Sequence, residues 1–402
     1  MQSEESLNLF TKIIFIFSVY IFVYFIFFAF TYPSPDGDSI NYHIPLAKSF
    51  LDGTILTPEK IEAVPYLKYF PGSSEGILAI FFLFRIPMQL FNVVGILFLF
   101  IIVYFLGKIF NLGKNLSLVF AVSIATLPAM IRWINMQIID IWMLGFFTLT
   151  FLLLERPRKN FKYFAILGFS CGMLIGSKYT GPIFASVLFI FYFKKIISYL
   201  SIKRILIFLI PFSIFGLFWY IRNFIVLGNP FYPQNFLFFR GDNFGILNNQ
   251  VWETTITTPG GIRMFIDAFF SEYSLWFFSI ILSIFIIFKS FNKRKKSKIL
   301  FVSLIGISNF IIWLFLPSDR HFHIFVSVVR YSFPSIVPII LAAFLYAKEK
   351  GKEDVIYLVT FVSLLASPIY KYHPKVLLVV FPIAFIIYFF GRERLKGKTI
   401  TK

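Results

Sequence analysis

The sequence predicts an all-α fold, a polytopic membrane bundle of about 12 transmembrane helices. Of the 402 residues, 58% are hydrophobic, and the mean hydropathy is +0.81, whereas soluble domains are about 45–50% apolar. The apolar residues form runs of roughly 15–20, which is the length that crosses a hydrocarbon core of about 30 Å. These runs lack the alternating pattern of barrel strands, so helices are expected to satisfy their backbone groups in lipid.

The first predicted span is a retained N-terminal anchor. Its apolar run is too long for the h-region of a signal peptide, and no small-residue cleavage site follows it. The spans are about 13–31, 88–106, 116–131, 140–154, 163–177, 180–193, 205–220, 270–288, 299–316, 333–347, 355–369 and 376–391. This even number of crossings places both termini on one side of the membrane.

The distribution of basic residues orients the predicted bundle. The termini and the loops on their side carry 25 of the 38 Lys and Arg residues. The positive-inside rule makes that side cytoplasmic. The net charge of +19 then follows from membrane topology, so we expect membrane lipids as partners and no nucleic acid.

A single integral membrane domain is predicted over 1–402, because no soluble domain, repeat or low-complexity linker is apparent. Two large loops are expected outside the cytoplasm, at 32–87 and 221–269. The apolar stretch 77–84 in the first loop is too short to span. We expect it to form a helix along, or dipping into, the outer membrane surface.

The first outer loop begins with two carboxylates at the membrane border, in the sequence PDGDSINYH over 35–43. Asp38 and Tyr42 are four residues apart, so they share a face if this segment is helical. A carboxylate at this depth suits a general base or a metal ligand. A solvated Asp-Gly-Asp turn is the structural alternative.

Two further acidic residues have both a structural and a functional interpretation. Ser73 or Ser74 is predicted to cap the short helix, with Glu75 favourable in its first turn, although a functional Glu75 is equally compatible with the pattern. Asp140 opens an otherwise apolar helix. A charge there is costly unless it interacts with the helix dipole or belongs to a site.

Three cations are predicted at the outer membrane edge: Lys178, Arg222 and Arg330. Each side chain either extends to the lipid headgroups or binds an anion, and three at one depth would form a phosphate site. The span before Lys178 also has a glycine at every fourth position, which predicts close helix packing. These glycines are Gly168, Gly172 and Gly176.

Six segments in order resemble the bacterial membrane glycosyltransferases of the GT-C fold, in the dolichyl-phosphate-mannose mannosyltransferase-like (family 39-like) superfamily. The resemblance covers roughly residues 12–345, and all six segments fall at the predicted outer face. They are Asp38-x-x-x-Tyr42-His43-x-Pro45, Tyr69-Phe70-Pro71 through Glu75, Asp140, Gly176-Ser177-Lys178-Tyr179-Thr180-Gly181, Trp219-Tyr220-Ile221-Arg222-Asn223 with Gly228-Asn229-Pro230, and Arg330-Tyr331-x-x-Pro334.

The resemblance implies an inverting hexosyl- or pentosyltransferase of the bacterial inner (plasma) membrane, with its active site facing the periplasm or exterior. The donor would be a polyprenyl-phosphate sugar, and the acceptor a glycan, lipid or protein. Asp38 would act as base or metal ligand, with Asp140 as the second acid. A divalent cation, Mg or Mn, would be held by these two if any is bound. The substrate-binding residues would be Tyr42, His43, Glu75, Lys178, Tyr179, Arg222 and Arg330.

Two other functions are compatible with parts of the sequence. A transporter or flippase of lipid-linked sugars would place charges or broken helices near the bilayer midplane. The predicted charges collect at one face instead, although the Gly181-Pro182 break fits a transporter. A glycan polymerase or ligase would share the basic outer face but lack the motif order from Asp38 to Arg330. Because the chain ends soon after the last span, acceptor recognition is expected from the outer loops or a partner.

Overall fold

The computed structural model describes residues 6–31, 36–236, 238–241, 261–293, 297–316 and 329–370. Within these ranges the regular structure is helical throughout and contains no named strand. Only a single isolated bridge, between Phe236 and Phe239, departs from this within the described ranges. The predicted all-α class is therefore confirmed for the described part of the chain.

The helices are numbered here in chain order. They are α1 (Leu9–Thr31), α2 (Ile44–Leu51), α3 (Ser73–Leu83), α4 (Phe91–Ile109), α5 (Gly113–Ala125), α6 (Pro128–Arg132), α7 (Asp140–Glu155), α8 (Phe161–Ser177), α9 (Gly181–Ile197), α10 (Ile202–Phe212), α11 (Phe218–Leu227), α12 (Gly261–Tyr273), α13 (Phe278–Lys293), α14 (Lys298–Leu314), α15 (Phe333–Glu349) and α16 (Glu353–Tyr370). Short π-helical turns precede α2 (Ser39–His43) and α11 (Ser213–Leu217).

Among the described residues, five helical stretches are long and apolar enough to cross a membrane. They are Leu9–Thr31, Met88–Ile109, Ile202–Leu227, Phe265–Ser290 and Val329–Glu349. These helices support the prediction that the chain is a membrane protein. The other predicted spans coincide with shorter or less apolar helices, except 376–391, which lies outside the described residues. The total of about 12 crossings therefore stays a prediction.

Two predicted boundaries are wrong. The predicted span 116–131 is interrupted between α5 and α6, because Pro128 lacks the N–H that would continue the α5 hydrogen bonds. The predicted span 205–220 continues to Leu227 through Pro211, and the π turn over 213–217 accommodates this proline. The segment predicted as the second outer loop is consequently still helical up to Leu227, and its predicted end overlaps α12.

Helix packing explains how α1 joins the bundle. Its buried residues recur every three or four positions and form one stripe: Thr11, Ile14, Ser18, Ile21, Phe25 and Ala29. The opposite face is apolar but exposed, with Ile16 at 65% and Phe27 at 70% of full exposure. An apolar face left open in this way suits contact with lipid. By contrast, α15 lies centrally in the bundle. In the apolar stretch Val329–Glu349 that contains it, 83% of the most apolar 18 residues are buried.

The glycine face predicted on α8 is confirmed. A Cβ on Gly168 would overlap the carbonyl oxygen of Phe208, and one on Gly176 would overlap that of Phe215. Helix α8 therefore packs directly against the backbone of α10 and the following π turn. This close approach fixes the end of α8 from which Lys178 emerges.

Candidate functional site

The site begins where the first loop turns into α2. The backbone N–H of Ser39 donates to Asp36 Oδ1 at 2.9 Å. The hydroxyl oxygen of Ser39 accepts from the backbone N–H of Gln137 at 2.9 Å. Asp36 thus stabilises the turn through Ser39, whereas the Asp38 side chain contacts a different part of the chain. The alternative of a merely solvated Asp-Gly-Asp turn does not describe this segment.

Four charged side chains from distant parts of the sequence meet in alternating order. Arg330 Nη2 donates to Asp38 Oδ2 at 2.6 Å, and Arg330 Nε lies 3.4 Å from Asp140 Oδ2. Lys178 Nζ donates to Asp140 Oδ1 at 2.8 Å. These four residues are called the charge cluster below. Two positive and two negative side chains leave it neutral in total.

Aromatic rings form the walls of the charge cluster. Lys178 Nζ lies 3.9 Å from the ring centroid of Tyr331. The Arg330 guanidinium carbon lies 5.1 Å from the Trp133 ring and 5.4 Å from that of Tyr331. All three separations permit cation–π attraction. Tyr331 was named from sequence only as a member of the Arg330-Tyr331-x-x-Pro334 segment, and neither ring was predicted as a site residue.

The charge cluster is buried at one end and open at the other. The exposed fraction of the side chain is 1% for Asp140, 8% for Arg330, 18% for Lys178 and 48% for Asp38. Among the described residues, Asp140 Oδ2 and Arg330 Nε have no hydrogen-bond partner despite their burial. A ligand would therefore enter past Asp38 and meet polar groups that are incompletely paired.

The electrostatics of Asp38 follow from this geometry. Partial burial acts to raise its pKa, but the charge and hydrogen bond of Arg330 act in the opposite direction. His43 and Lys178 add to the effect of Arg330, and the pKa of Asp38 is held below its usual value. Asp38 is consequently ionised at neutral pH and is a weaker proton acceptor than an unpaired aspartate.

His43 and Glu75 form a second polar pair beside the charge cluster. His43 Nδ1 lies 2.8 Å from Glu75 Oε1, and both residues are buried. The Tyr42 ring lies 4.2 Å from the imidazole, centroid to centroid. Burial and the charge of Glu75 raise the pKa of Tyr42 well above its usual value, so its phenol stays protonated. Glu75 therefore has a specific polar partner besides its position in the first turn of α3.

The prediction that Ser73 or Ser74 caps α3 is wrong, because both hydroxyls are used between helices. Ser73 Oγ accepts from Trp219 Nε1 at 2.6 Å and also bonds to the Phe215 carbonyl. Ser74 Oγ lies 2.6 Å from Ser177 Oγ. These bonds join α3 to α8 and α11. They hold Glu75 and Lys178 in one part of the bundle.

Arg222 does not join the charge cluster. Its guanidinium donates to the carbonyl oxygens of Ile55 at 3.3 Å and Lys68 at 3.4 Å, and to Asn223 Oδ1. Asn223 Nδ2 donates to the Tyr179 hydroxyl at 3.0 Å. The structure thus brings two of the three predicted cations together and uses the third to hold the first loop.

Tyr179 also has a structural contact. Its hydroxyl lies 2.5 Å from the Tyr232 carbonyl oxygen, to which it donates. Burial raises the pKa of this phenol. Tyr179 therefore connects the end of α8 to the chain beyond α11, and it places the adjacent Lys178.

The end of α12 supports Arg330 from two sides. The Tyr273 hydroxyl lies 2.5 Å from Ser332 Oγ and 3.4 Å from the Val329 carbonyl oxygen. The neighbouring Glu272 pairs with Arg132 at 2.5 Å, directly before Trp133. Sequence reasoning missed these supporting residues, because nothing in their local pattern sets them apart from other polar residues near a helix end.

The charge cluster does not fit the divalent cation that the resemblance allows for. Arg330 contacts both Asp38 and Asp140, and Lys178 takes the other oxygen of Asp140. Within the described ranges, no three His, Cys, Asp or Glu side chains are grouped as metal ligands would be. The two carboxylates are already neutralised by side-chain cations, so no catalytic step is assigned to a metal.

The fold and site define a class of protein, namely a helical membrane protein with a neutral, partly open cluster of paired charges at one end of its bundle. No family model matches the chain, and no curated protein is significantly similar to it.

Proposed function

We propose that the protein is an inverting glycosyltransferase of a bacterial inner membrane, with a GT-C-like fold. It moves a sugar from a polyprenyl-phosphate donor to a glycan, lipid or protein acceptor outside the cytoplasm. The observation that carries this proposal is the charge cluster, which joins two cations and two carboxylates at one opening. Its four residues all belong to segments with the resemblance described above.

Direct displacement at the anomeric carbon makes two demands on such a site. The acceptor oxygen forms a bond to the sugar as the bond to the donor phosphate breaks, and the acceptor proton passes to a base. Negative charge develops on the departing phosphate and needs cations in place. Arg330 and Lys178 meet this second demand. The phosphate would share these cations with Asp38 and Asp140 as it leaves.

Two residues are candidates for the base that receives the acceptor proton. Asp38 is the more accessible, but its pairing with Arg330 weakens it as a base. His43 lies five residues further on, with its Nδ1 atom held by Glu75. A carboxylate that orients an imidazole is a recurrent general-base arrangement. The expectation that Asp38 is the base therefore stays a prediction, and Asp38 has a second role in fixing Arg330.

A lipid-linked donor is supported by an apolar groove between α1, α4 and α5. The groove has a volume of about 400 Å³ and includes Phe22, Ile96 and Phe100 in its lining. It reaches Thr126, directly after α5, and the following α6 leads to Trp133 beside Arg330. An isoprenoid chain in this groove would have its phosphate directed towards the helix ends that carry the charge cluster.

The position of the charges favours an enzyme over a transporter. Asp140 begins α7, Lys178 follows α8, and Arg330 precedes α15, so all three lie at helix ends. Transporter sites lie at broken helices near the bilayer midplane. The interruption by Pro211 and the π turn is the one feature of α10 and α11 that fits a transporter.

The decisive experiment measures transfer by the purified full chain in proteoliposomes that contain a series of polyprenyl-phosphate sugars with an acceptor extract. We expect transfer by the parent and less than about 1% of its rate for Asp38→Asn, because loss of the carboxylate charge releases Arg330. Asp52→Asn is the matched control, since Asp52 is an exposed carboxylate of the same loop. It should keep the parental rate.

Outcomes that contradict the proposal are equally specific. Movement of the donor across the bilayer without sugar transfer would establish the flippase alternative. Normal transfer by Asp38→Asn would remove Asp38 from the reaction. If transfer is observed, a comparison of the surface glycans of cells with and without the gene by mass spectrometry would identify the sugar from the mass that is lost.

A further inference from the structure

A second groove lies at the end of the bundle opposite the charge cluster. Its volume is about 150 Å³, and it lies between the ends of α13 and α15 and the start of α14. Arg330 lies in the short turn Val329–Ser332 that leads into α15, and Lys350 directly follows α15. The 17 residues of α15, at 1.5 Å each, separate the two sites by about 25 Å. This groove is therefore no part of the proposed active site.

The groove combines positive charge, hydroxyl groups and an apolar wall. Glu349 is an acidic residue of its rim, so the two lysines and this glutamate give the lining a charge of +1. The other side chains that matter are Lys289 and Lys350, the hydroxyls of Ser290 and Ser297, and the buried Ile286 and Ile299.

Aromatic rings restrict the position of both lysines. Lys289 Nζ lies 5.4 Å from the Phe285 ring centroid, and Lys350 Nζ lies 5.9 Å from that of Tyr346. Neither lysine has an ion-pair partner within the described part of the chain. Two exposed ammonium groups thus lie beside one groove, and neither is held in an ion pair by a described carboxylate, including the nearby Glu349.

We propose that this groove binds the phosphodiester headgroup of an anionic phospholipid from the leaflet at that end. The lysines and serines suit the phosphate oxygens, and the isoleucines suit the adjoining glycerol and acyl carbons. The sequence over 293–298 adds five basic residues and no acidic one, which attracts anionic lipid to the same end. A basic pocket between membrane helices is a common form of headgroup site. This proposal needs only a membrane protein and does not depend on glycosyl transfer.

The test is native mass spectrometry of the purified full chain with equal amounts of phosphatidylglycerol and phosphatidylcholine. We expect the parent to retain one phosphatidylglycerol selectively. The double variant Lys289→Ala, Lys350→Ala should bind it about tenfold more weakly or worse, because each lysine near a membrane surface contributes severalfold. Glu349→Gln should bind it more tightly, because a negative charge is removed from the rim.

A matched control removes the same charge elsewhere at this end. Lys194 and Lys203 are exposed and flank the α9–α10 connection outside the groove, so their double alanine variant should retain the lipid. If both double variants lose phosphatidylglycerol binding equally, the lipid is held by general electrostatic attraction at this end and the proposal is overturned. Unchanged binding in the groove variant, or weaker binding by Glu349→Gln, would also overturn it. Displacement by millimolar glycerol phosphate would show a site for a free phosphate ester and contradict the lipid.

Discussion

At the residue scale, the neutrality of the charge cluster is its most informative property. Arg330 contacts two carboxylates, and Lys178 contacts one of them. Removing one member of a buried ion pair leaves the charge of its partner uncompensated. Substitutions of the four residues are therefore expected to have non-additive effects on stability. A departing phosphate would share Arg330 and Lys178 with Asp38 and Asp140, so the two carboxylates would compete with it for these cations. This property distinguishes the site from a general basic surface.

The contrast between Lys178 and Arg222 gives the first residue-scale prediction. Lys178→Ala should weaken donor binding about tenfold or more, because a charged hydrogen bond to phosphate contributes about 1.5–3 kcal/mol. Arg222→Ala should instead lower the free energy of unfolding by about 1–3 kcal/mol, since two loop carbonyls lose their donor. Binding of a labelled donor and thermal unfolding measure the two effects. Equal loss of donor affinity in both variants would contradict this separation.

The pKa of Asp38 predicts a pH dependence of stability. Its folded pKa lies below the ordinary aspartate value of about 3.9. Ionised Asp38 therefore stabilises the folded chain above about pH 4, and this contribution is lost as the pH falls through the folded pKa. We expect the Tm of the parent to fall more steeply below pH 4 than that of Asp38→Asn. Parallel curves of Tm against pH for the two proteins would show that the pairing of Asp38 with Arg330 contributes nothing to stability in solution.

At the element scale, α12 is the helix whose function is least visible in the sequence. Its last residues hold the turn before α15 through Tyr273 and hold Arg132 through Glu272. Both contacts end beside Arg330, one through the backbone at 329–332 and the other through Trp133. Helix α12 is thus expected to position Arg330 without touching a substrate itself.

Tyr273→Phe tests this positioning role, because it removes one hydroxyl and keeps the buried ring. We expect a loss of stability of about 1 kcal/mol, typical of one buried hydrogen bond. The rate of transfer should fall severalfold while donor affinity changes less, since Arg330 is needed most when the phosphate departs. Tyr163→Phe is a suitable control, as the Tyr163 hydroxyl bonds to the Leu153 carbonyl at 2.8 Å, at the opposite end of α7 and α8. A fall in stability with an unchanged rate would give Tyr273 a structural role only.

At the scale of the whole molecule, the two ends of the bundle differ in chemistry. Asp38, Asp140 and Arg330 meet at one end. The termini and connections that the sequence assigns to the other end carry 25 of the 38 Lys and Arg residues. The positive-inside rule predicts that the basic end faces the cytoplasm. The charge cluster would then face the cell exterior, as the proposed use of a lipid-linked sugar requires.

Cysteine labelling tests this orientation. The native Cys171 is buried, so a Cys171→Ser background is suitable for single exposed cysteines. Asp52→Cys should react with a membrane-impermeant maleimide in intact spheroplasts, whereas Lys350→Cys should react only after lysis. Labelling of both before lysis, or the reverse pattern, would refute the orientation and remove the exterior active site.

The sequence by itself determined the helical membrane class and the identity of the charged residues. Apolar runs and the glycine face of α8 are local periodic signals, and helix formation in lipid leaves the backbone little alternative. The position of Asp140 at the start of α7 was also predictable, because charges are tolerated best at helix ends. The other candidate site residues could be named because they are polar groups that lie at the ends of apolar spans.

Only the tertiary structure decided which of those residues act together. It paired Arg330 with Asp38 and Asp140, separated Arg222 from them, and used Ser73 and Ser74 between helices rather than as caps. Such pairings join residues up to 292 positions apart, so no local pattern encodes them. They depend on how the helices pack, because a buried charge is stable only where packing provides its partner.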